Sequence, residues 1–216
     1  HEALSSKRLE LFAQRIVNLS GEGSPLCFEI LVRIRDAQGN YLSPGVFIPA
    51  SERYNIAHWI DKQVITQTLE WFEARPEIVE KLGRCAINLS GQSMGNQEFI
   101  DFLLERLQSS SIPCEKICLE ITETAAMGNI DQALGFFTRV RTLGCLIALD
   151  DFGSGLSSFG YLKQLPVDIV KIDGLFVRDI NVNEMDRVMV RSINDLAKQL
   201  GKVTVAEFVE NEQVMQ

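Results

Sequence analysis

The apolar positions of this chain fall into short runs that alternate with amphipathic segments. Seven runs have the length and composition of β-strands: LELFAQRIV, LCFEILVRI, RCAINLS, KICLEITE, CLIALDD, DIVKID and KVTVAE. Between them, segments 129–144 and 183–201 place apolar residues three and four positions apart, which is typical of helices that bury one face. Strands that alternate with helices predict a parallel α/β sheet.

A Leu-Gly pair precedes three of these strands, at Gly83, Gly144 and Gly201. Glycine tolerates the left-handed conformation that commonly closes a helix, so we expect each of the three to end one. The pattern therefore predicts a repeat of helix, glycine and strand.

The first two strands are joined only by NLSGEGSP, residues 18–25. A parallel crossover needs a dozen residues or more, so these two strands are predicted to pair antiparallel. Seven or eight strands in 216 residues favour a single barrel domain, and an open doubly wound sheet is the alternative.

Polar residues stand in or at the end of six of the apolar strands. They are Glu29, Asn88, Glu120, Asp150, Lys171 and Glu207. A single acidic residue at a strand end is usually only the start of a solvated loop. In a βα barrel, however, the parallel strands end at one rim, so six such residues converge and predict an active site there.

The segment CLIALDDFGSG, residues 145–155, adds a second carboxylate because Asp151 directly follows Asp150. Two like charges that close repel each other, and positive charge is needed to offset them. Carboxylate and amide oxygens without histidine or cysteine select hard cations such as Mg²⁺ or Mn²⁺. Five carboxylates exceed what one such ion takes, so two metal ions bridged by an aspartate are predicted, with glycines that allow a sharp turn beside them.

Two cationic residues suit phosphodiester hydrolysis at this rim. Lys171 could hold or deprotonate the attacking water, and its alternative is a salt bridge with Asp173 or Glu207. Arg33 lies four residues past Glu29 on the same side of the strand, where its guanidinium could bind a phosphate. The alternative for Arg33 is an ion pair with a carboxylate of the rim.

Composition narrows the classes of partner. The net charge is −8 and the pI about 4.9, and so acidic a surface repels nucleic acid polymers and anionic lipid. The chain has no apolar run of 18 residues and no signal peptide at its start, so no membrane span is predicted in this segment. Five cysteines without a CxxC pair are expected to be free thiols in a reducing cytoplasm. Only two histidines, His1 and His58, argue against a histidine zinc site or a Ser-His-Asp triad.

Taken together, the motifs resemble the EAL domain of bacterial cyclic di-GMP phosphodiesterases. EILVR stands where that family has its Glu-Ala-Leu signature and the following arginine. NLS, EITET, ALDDFGSG, LPVDIVKID and VAEFVE follow in the family's order and spacing. The resemblance covers residues 8–216, and residues 1–7 resemble the end of a linker.

The resemblance implies an α/β fold, a TIM-like (βα) barrel with an antiparallel first strand. The family continues past the equivalent of Gln216 with a helix and a further strand, so the C-terminal strand is expected to be missing from this chain. The implied reaction is hydrolysis of one phosphodiester bond of cyclic di-GMP to linear pGpG, with two Mg²⁺ or Mn²⁺ ions per active site.

The resemblance also assigns roles by position. The ligands of the first metal correspond to Glu29, Asn88, Glu120 and Asp150, and those of the second to Asp150, Asp151 and Glu207. Lys171 corresponds to the lysine that contacts the water, and it forms the catalytic group with Glu29 and Glu207.

Further positions correspond to residues around these ligands. Gln14, Arg33 and Asp173 are implied at the substrate, with Asp173 in a supporting position. Glu123 and Glu210 are implied as acids that anchor the loop after Asp151.

Three departures from the family stand at or near the signatures. Ile30 replaces the alanine of the Glu-Ala-Leu signature, Arg15 replaces a proline, and Phe208 replaces a glycine. The side chain of Ile30 is expected to point away from Glu29, with little effect on the site. Phe208 could crowd the rim near Glu207.

The resemblance further implies partners and alternatives. A homodimer with a face near Ser157–Gln164 is expected, as is fusion to sensory or GGDEF-type domains. We expect a cytoplasmic domain, even within a membrane-anchored protein. Because every matching ligand in the chain is present, an enzyme is favoured over a receptor that binds cyclic di-GMP without hydrolysing it. A different barrel enzyme with Mg²⁺ and a lysine, such as an enolate-forming one, would lack the paired aspartates and their glycine loop.

Overall fold

The computed structural model describes residues 8–19, 24–154 and 159–215. The strands are β1 (Leu9–Ile16), β2 (Leu26–Arg35), β3 (Tyr41–Leu42), β4 (Leu82–Asn88), β5 (Ile117–Thr122), β6 (Leu146–Phe152), β7 (Ile169–Ile172) and β8 (Val203–Ala206). The helices are α1 (Pro44–Arg53), α2 (Ala57–Glu73), α3 (Pro76–Lys81), α4 (Gly91–Met94), α5 (Gln97–Ser109), α6 (Glu123–Gly128), α7 (Ile130–Arg141), α8 (Phe159–Leu162), α9 (Gly174–Val177), α10 (Glu184–Gln199) and α11 (Glu212–Met215). The predicted linker end at residues 1–7, part of the first turn, Gly155, Ser157 and Gln216 lie outside the described residues.

The strands form one sheet in the order β1-β2-β4-β5-β6-β7-β8, with the short β3 paired to β2. β1 and β2 pair antiparallel, which confirms the inference from their short connection. From β2 to β8 every neighbouring pair on this path is parallel. The sheet curls into a half-barrel with helices outside it, so the predicted α/β barrel-like fold is confirmed. The two-residue β3 was not predicted.

Two of the three predicted glycine positions close a helix. Gly144 (φ 91°) and Gly201 (φ 70°) follow α7 and α10 in the left-handed region, as expected. The prediction for Gly83 is wrong, because Gly83 lies inside β4 without a left-handed backbone. Glycine is required at position 83 because of a close contact. A Cβ atom there would stand 2.6 Å from Cβ of Pro25, so only glycine lets the chain before β2 approach β4.

Side-chain caps fix where the long helices begin. The side-chain oxygens of Asn96, Asn129 and Asn183 accept hydrogen bonds from backbone N–H groups in the first turns of α5, α7 and α10. Each cap saturates backbone donors that a helix start leaves free, so the helices begin at defined points against the sheet.

The sheet has an apolar face on each side. Its outer face packs with the helices into the main core, which includes Phe99, Phe136 and Phe137. Inside the curl lies a smaller apolar cluster of Ala86, Cys118, Ala148 and Ile169, with one member on each of β4 to β7. Because side chains alternate along a strand, the residue two positions further on each of these strands faces the same interior. The cluster is therefore the floor beneath the strand ends.

Two expectations from composition can be compared with the described chain. All five cysteines fall within it and none forms a disulfide. Of the helices described, none combines the length and apolar character that crossing a membrane requires.

Candidate active site

Polar residues on β2, β4, β5, β6 and β7, and the residue that directly follows β8, lie in the interior above the apolar floor. These residues are Glu29, Asn88, Glu120, Asp150, Lys171 and Glu207. They come from distant parts of the sequence and meet because parallel strands end on the same side of the sheet. The convergence predicted from the strand pattern is therefore what the fold produces.

Lys171 lies at the centre of this group and is 2% exposed. Its Nζ stands within ion-pair distance of four carboxylates: 3.1 Å from Glu29, 2.8 Å from Glu120, 2.9 Å from Asp150 and 2.9 Å from Glu207. The predicted alternative for Lys171, a salt bridge with Glu207, is thus confirmed as one of four ion pairs. A single ammonium is shared by four anions, and the group keeps an excess of negative charge.

Asp150 and Asp151 reach the same site because β6 contains a bulge. Leu149 pairs with Val170 and Phe152 with Ile172, so the two aspartates together oppose the single residue Lys171. Asp151 adopts a φ of 53°, in the left-handed region that non-glycine residues seldom occupy. Without this bulge, two consecutive residues of a strand would point to opposite faces of the sheet.

Asn88 and Glu29 are linked across neighbouring strands. The Asn88 side-chain amide donates a hydrogen bond of 2.8 Å to Oε1 of Glu29, whose Oε2 faces Lys171. With both carboxylate oxygens engaged, Glu29 has one defined orientation towards the interior. The amide carbonyl of Asn88 provides a neutral oxygen beside it.

Burial and like charge raise the pKa values of Glu120, Asp151 and Glu207. Burial raises the pKa of Glu120 well above its ordinary value, although Lys171 beside it acts in the opposite direction. Burial and then the charge of Asp150 raise the pKa values of Glu207 and Asp151. Burial by itself would lower the pKa of Lys171, but the surrounding carboxylates outweigh it and raise that pKa. The site therefore favours additional positive charge.

The geometry of the aspartates fits a hard cation. Asp150, Asp151 and Glu207 each offer a carboxylate oxygen, and these oxygens all lie within 4.8 Å of one another. Oδ1 of Asp150 is buried, and its partner in the described chain is the Lys171 ammonium, 2.9 Å away. A cluster of carboxylate oxygens without histidine or cysteine is the kind of ligand set that Mg²⁺ or Mn²⁺ prefers.

Glu123 supports the loop that follows the bulge. It is buried at the start of α6, and its Oε2 accepts a hydrogen bond of 3.0 Å from the backbone N–H of Gly153. Gly153 has a φ of 100°, where a residue with a side chain would be strained. The contact ties the first residues after Asp151 to the neighbouring strand end.

Asp173 also lies beside the paired aspartates. Its side chain caps α9 by accepting a hydrogen bond of 2.7 Å from the N–H of Leu175. Its negative charge contributes to the raised pKa of Asp151. Its observed contact is with the backbone of α9 and not with Lys171.

Gln14 and Arg33 lie further out on the inner side of β1 and β2. Gln14 is exposed and pairs in register with Glu29. Arg33 lines a hollow of about 410 Å³ formed with Phe12, Tyr41, Leu42, Ser43 and Pro44. The guanidinium forms no ion pair with a carboxylate in the described residues; it donates to the carbonyl of Val32 and lies 5.9 Å from the centre of the Phe12 ring. The predicted alternative for Arg33, an ion pair with a carboxylate of the rim, is therefore not found among the described residues.

Two of the departures from the family have a defined place. Ile30 is buried and, following Glu29 directly on the strand, points to the opposite face as expected. Phe208 is half-exposed and contacts α9. Glu210, predicted to anchor the loop, is exposed and makes no hydrogen bond or ion pair within the described part of the chain. Its role remains a prediction.

One supporting residue was missed by sequence reasoning. Asp61 is buried in α2, and its Oδ2 accepts hydrogen bonds from the Ser90 N–H (2.8 Å), the Ser90 hydroxyl (2.8 Å) and the Ser93 hydroxyl (2.6 Å). Burial raises the pKa of Asp61 to about 6. The contact holds the chain two residues after Asn88. Its signal in the sequence is an aspartate among the apolar positions of an amphipathic helix, one residue after Ile60 and three before Val64.

The chain is similar in sequence to a known domain family and to curated proteins. A family model described as the EAL domain matches residues 1–216. The cyclic di-GMP phosphodiesterase PdeB of Shewanella oneidensis is 40% identical over 215 residues, which make up 99% of this chain and 25% of that protein. The cyclic di-GMP phosphodiesterase PdeA of Borreliella burgdorferi is 35% identical over 216 residues, or 99% of this chain and 32% of that protein. The chain thus spans between a quarter and a third of the length of these curated relatives.

A solved structure resembles the fold closely. The crystal structure of the FimX EAL domain from Pseudomonas aeruginosa bound to c-di-GMP has a TM-score of 0.89 and 27% identity with this chain. The match covers 99% of this chain and 85% of that one.

Proposed function

This chain belongs to the EAL domain family, and from that premise we propose that it hydrolyses cyclic di-GMP to linear pGpG in a metal-dependent reaction. The observation that carries the proposal is the group of oxygen ligands around Lys171, delivered by six neighbouring strands of the sheet. Relatives named as cyclic di-GMP phosphodiesterases support the substrate and the reaction class. The product and the two-metal arrangement are part of the proposal.

Two sets of residues would hold the cations. Glu29, Asn88, Glu120 and Asp150 would hold one Mg²⁺ or Mn²⁺, and Asp150, Asp151 and Glu207 would hold the second. Bound there, the cations would supply positive charge that offsets the negative charge developing on the phosphodiester. Asp150 belongs to both sets, which agrees with its place beside Lys171 and within the oxygen cluster that it forms with Asp151 and Glu207.

Lys171 is assigned the role of holding the attacking water. Four carboxylates within 3.1 Å favour the ammonium form of this side chain. An ammonium donates hydrogen bonds and does not accept a proton, so of the two roles predicted for Lys171 we infer orientation and not deprotonation. Glu29 orients Lys171 in turn, since its Oε2 accepts a hydrogen bond of 3.1 Å from Nζ.

The remaining predicted residues act around this centre. Arg33 would bind a phosphate of the substrate from the hollow that it lines, and Gln14 would contact the substrate opposite Glu29. Asp173 would support this region through its cap on α9. Glu123, with Glu210, would keep the loop after Asp151 in place.

The decisive experiment incubates the purified chain with cyclic di-GMP and Mn²⁺ and separates the products by chromatography. We expect pGpG to accumulate, and Glu29→Gln to abolish it because that change neutralises a carboxylate ligand and weakens an orienting contact of Lys171. Glu73→Gln is the matched control, because Glu73 is paired with Arg106 on the helical layer, 2.8 Å away. Its activity should equal that of the wild type.

One outcome of this experiment would contradict the proposed hydrolysis. If the chain binds cyclic di-GMP in calorimetry but releases no pGpG at any Mn²⁺ or Mg²⁺ concentration, the enzyme proposal fails. The same result would establish the receptor alternative, in which the domain holds the nucleotide and signals by contact.

The setting of the domain is also proposed. Since the curated relatives are three to four times longer than this chain, we propose that it functions as one domain of a longer protein with sensory or GGDEF-type domains, in the cytoplasm. We further propose a homodimer whose face includes the predicted segment Ser157–Gln164, of which residues 157 and 158 lie outside the described residues. Sedimentation of the purified protein tests the dimer, and a monomer of full activity would contradict it.

A further inference from the structure

Phe208 adopts an unusual conformation directly beside the site. It follows Glu207 in the chain and has a φ of 52°, in the left-handed region. A bulky residue seldom adopts this conformation because its Cβ then approaches the following carbonyl oxygen. An aromatic residue that keeps an unfavourable backbone conformation must be held there by its surroundings.

The surroundings that hold Phe208 belong to α9. A Cβ atom added at Gly174 would stand 2.1 Å from Cδ2 and 2.6 Å from Cγ of the Phe208 ring, so the ring lies directly on the Gly174 backbone. The guanidinium carbon of Arg178 lies 4.0 Å from the centre of the same ring. Arg178 directly follows α9 in helical conformation, four residues after Gly174, so both face the end of β8. The ring spans one turn of that helix.

This contact bears on Glu207 because β8 is the last strand of the described sheet, held on its outer side by α10 through the hydrogen bond from Thr204 to Asn194. In the described residues β8 pairs with β7 alone, and Val203 on β8 is 57% exposed. Past the strand, the Glu207 N–H donates a hydrogen bond of 3.2 Å to the carbonyl of Ile172. The side chain of the next residue, Phe208, then fixes the chain to the helix that follows β7. Glu207 lies between these two attachments.

We propose that Phe208 is a positioning residue that holds the Glu207 carboxylate in the metal site by fastening the end of β8 to α9. The left-handed turn sends the Phe208 ring outward onto α9, while Glu207 points inward to 2.9 Å from Lys171. The sequence indicated that Phe208 could crowd the rim near Glu207. In the structure its ring packs against Gly174 instead. The significance of this role rests on the proposed function, in which Glu207 is a metal ligand.

The experiment measures Mn²⁺ affinity by calorimetry for the wild type, Phe208→Ala and Phe208→Gly. Both variants lose the ring, but glycine accepts the left-handed turn without strain whereas alanine does not. We expect both to bind Mn²⁺ about tenfold more weakly, as is typical when a residue behind a ligand is lost. Phe208→Gly should melt at a higher temperature than Phe208→Ala, because relief of the left-handed strain outweighs the greater freedom of glycine in the unfolded chain.

Two further variants define the scale. Glu207→Ala sets the loss of affinity that follows from removing the ligand itself, and the Phe208 variants should fall between it and the wild type. Trp71→Ala is the matched control, since Trp71 also stacks with a guanidinium, Arg75, at 4.4 Å, but on the helical layer. It should leave Mn²⁺ affinity unchanged.

The outcomes separate this inference from the proposed function. Wild-type affinity in both Phe208 variants, or full affinity restored in Phe208→Gly alone, overturns the positioning role even if the chain hydrolyses cyclic di-GMP. Weakened Mn²⁺ binding in a protein that makes no pGpG supports the positioning role while the proposed function fails. A wild-type chain that binds no Mn²⁺ overturns both.

Discussion

Replacing Lys171 with methionine should destabilise the folded chain strongly at neutral pH when no divalent cation is present. Methionine keeps most of the volume and removes the charge, so four carboxylates lose the ammonium that lies 2.8 to 3.1 Å from each of them. Removing one partner of a buried ion pair costs about 3–5 kcal/mol. Two carboxylates about 4 Å apart also repel by about 4 kcal/mol at an effective dielectric constant near 20. Because uptake of a proton by one carboxyl group relieves much of this repulsion, the two costs do not add, and we expect the free energy of unfolding to fall by about 4 kcal/mol.

The loss should depend on pH in a defined direction. Without the ammonium, the pKa values of Glu120 and Glu207, which are already raised in the folded chain, rise further above the value in the unfolded chain, about 4.3 for glutamate. The folded variant then binds more protons than the unfolded variant, so its stability falls as the pH rises through that window. The deficit of Lys171→Met should be smallest near pH 5 and largest near pH 8. Saturating Mn²⁺ should reduce it, because cations replace the lost positive charge.

Urea unfolding followed by circular dichroism measures these differences, in EDTA and in Mn²⁺, at several pH values. The matched control is Lys202→Met, because the partly buried Lys202 donates hydrogen bonds of 3.0 and 2.8 Å to the carbonyls of Leu165 and Val167. Its loss should cost about 1–2 kcal/mol and be independent of Mn²⁺. If Lys171→Met unfolds at the wild-type urea concentration in EDTA at pH 8, the view of Lys171 as the counter-ion of the site is wrong.

Three other substitutions test separate parts of the fold. Glu123→Gln weakens the acceptor of the Gly153 N–H. Because a hydrogen bond to a charged group is worth about 1.5–3 kcal/mol, we expect pGpG formation to slow at least about tenfold. An unchanged steady-state rate would contradict the anchoring role of Glu123. Asp61 has a folded pKa of about 6 against an ordinary 3.8, so its contribution to stability is present below pH 4 and is lost as the pH rises through 6, by about 3 kcal/mol. Asp61→Asn should flatten this decline in urea unfolding between pH 4 and 6, and a persisting wild-type slope would assign the decline to other groups. Gly83→Ala places a Cβ atom 2.6 Å from Cβ of Pro25. It should lower the free energy of unfolding by about 1–3 kcal/mol in the same assay. A neutral result would mean that the backbone at this contact adjusts freely.

The sequence was sufficient for the parts of the fold that depend on periodicity and chain length. Short apolar runs separated by amphipathic segments predicted the parallel sheet, and the eight-residue joint at residues 18–25 predicted its antiparallel first pair. The convergence of Glu29, Glu120 and Lys171 followed, because residues at the ends of parallel strands meet whatever their separation in the chain. These inferences needed no knowledge of side-chain contacts.

Other features depend on contacts that a pattern does not contain. Gly83 carries the same Leu-Gly signal as Gly144, yet its conformation is set by the approach of Pro25 and not by a helix end. Asp61 is an isolated acid on an apolar helix face, and its partners Ser90 and Ser93 are about thirty residues away in sequence. Sequence spacing also could not indicate that Lys171 would be shared by four carboxylates, since that depends on how tightly the sheet curls.

The extra residue in β6 matters to anyone who wishes to transplant this chemistry into another protein. On a regular strand, an Asp-Asp pair would send one acid into the scaffold's apolar layer, where an unpaired charge is severely unfavourable. A designer would therefore have to copy the backbone offset together with the acids. By the same logic, deleting one residue from β6 would not simply remove one acid: it would straighten the strand and rotate whatever follows it.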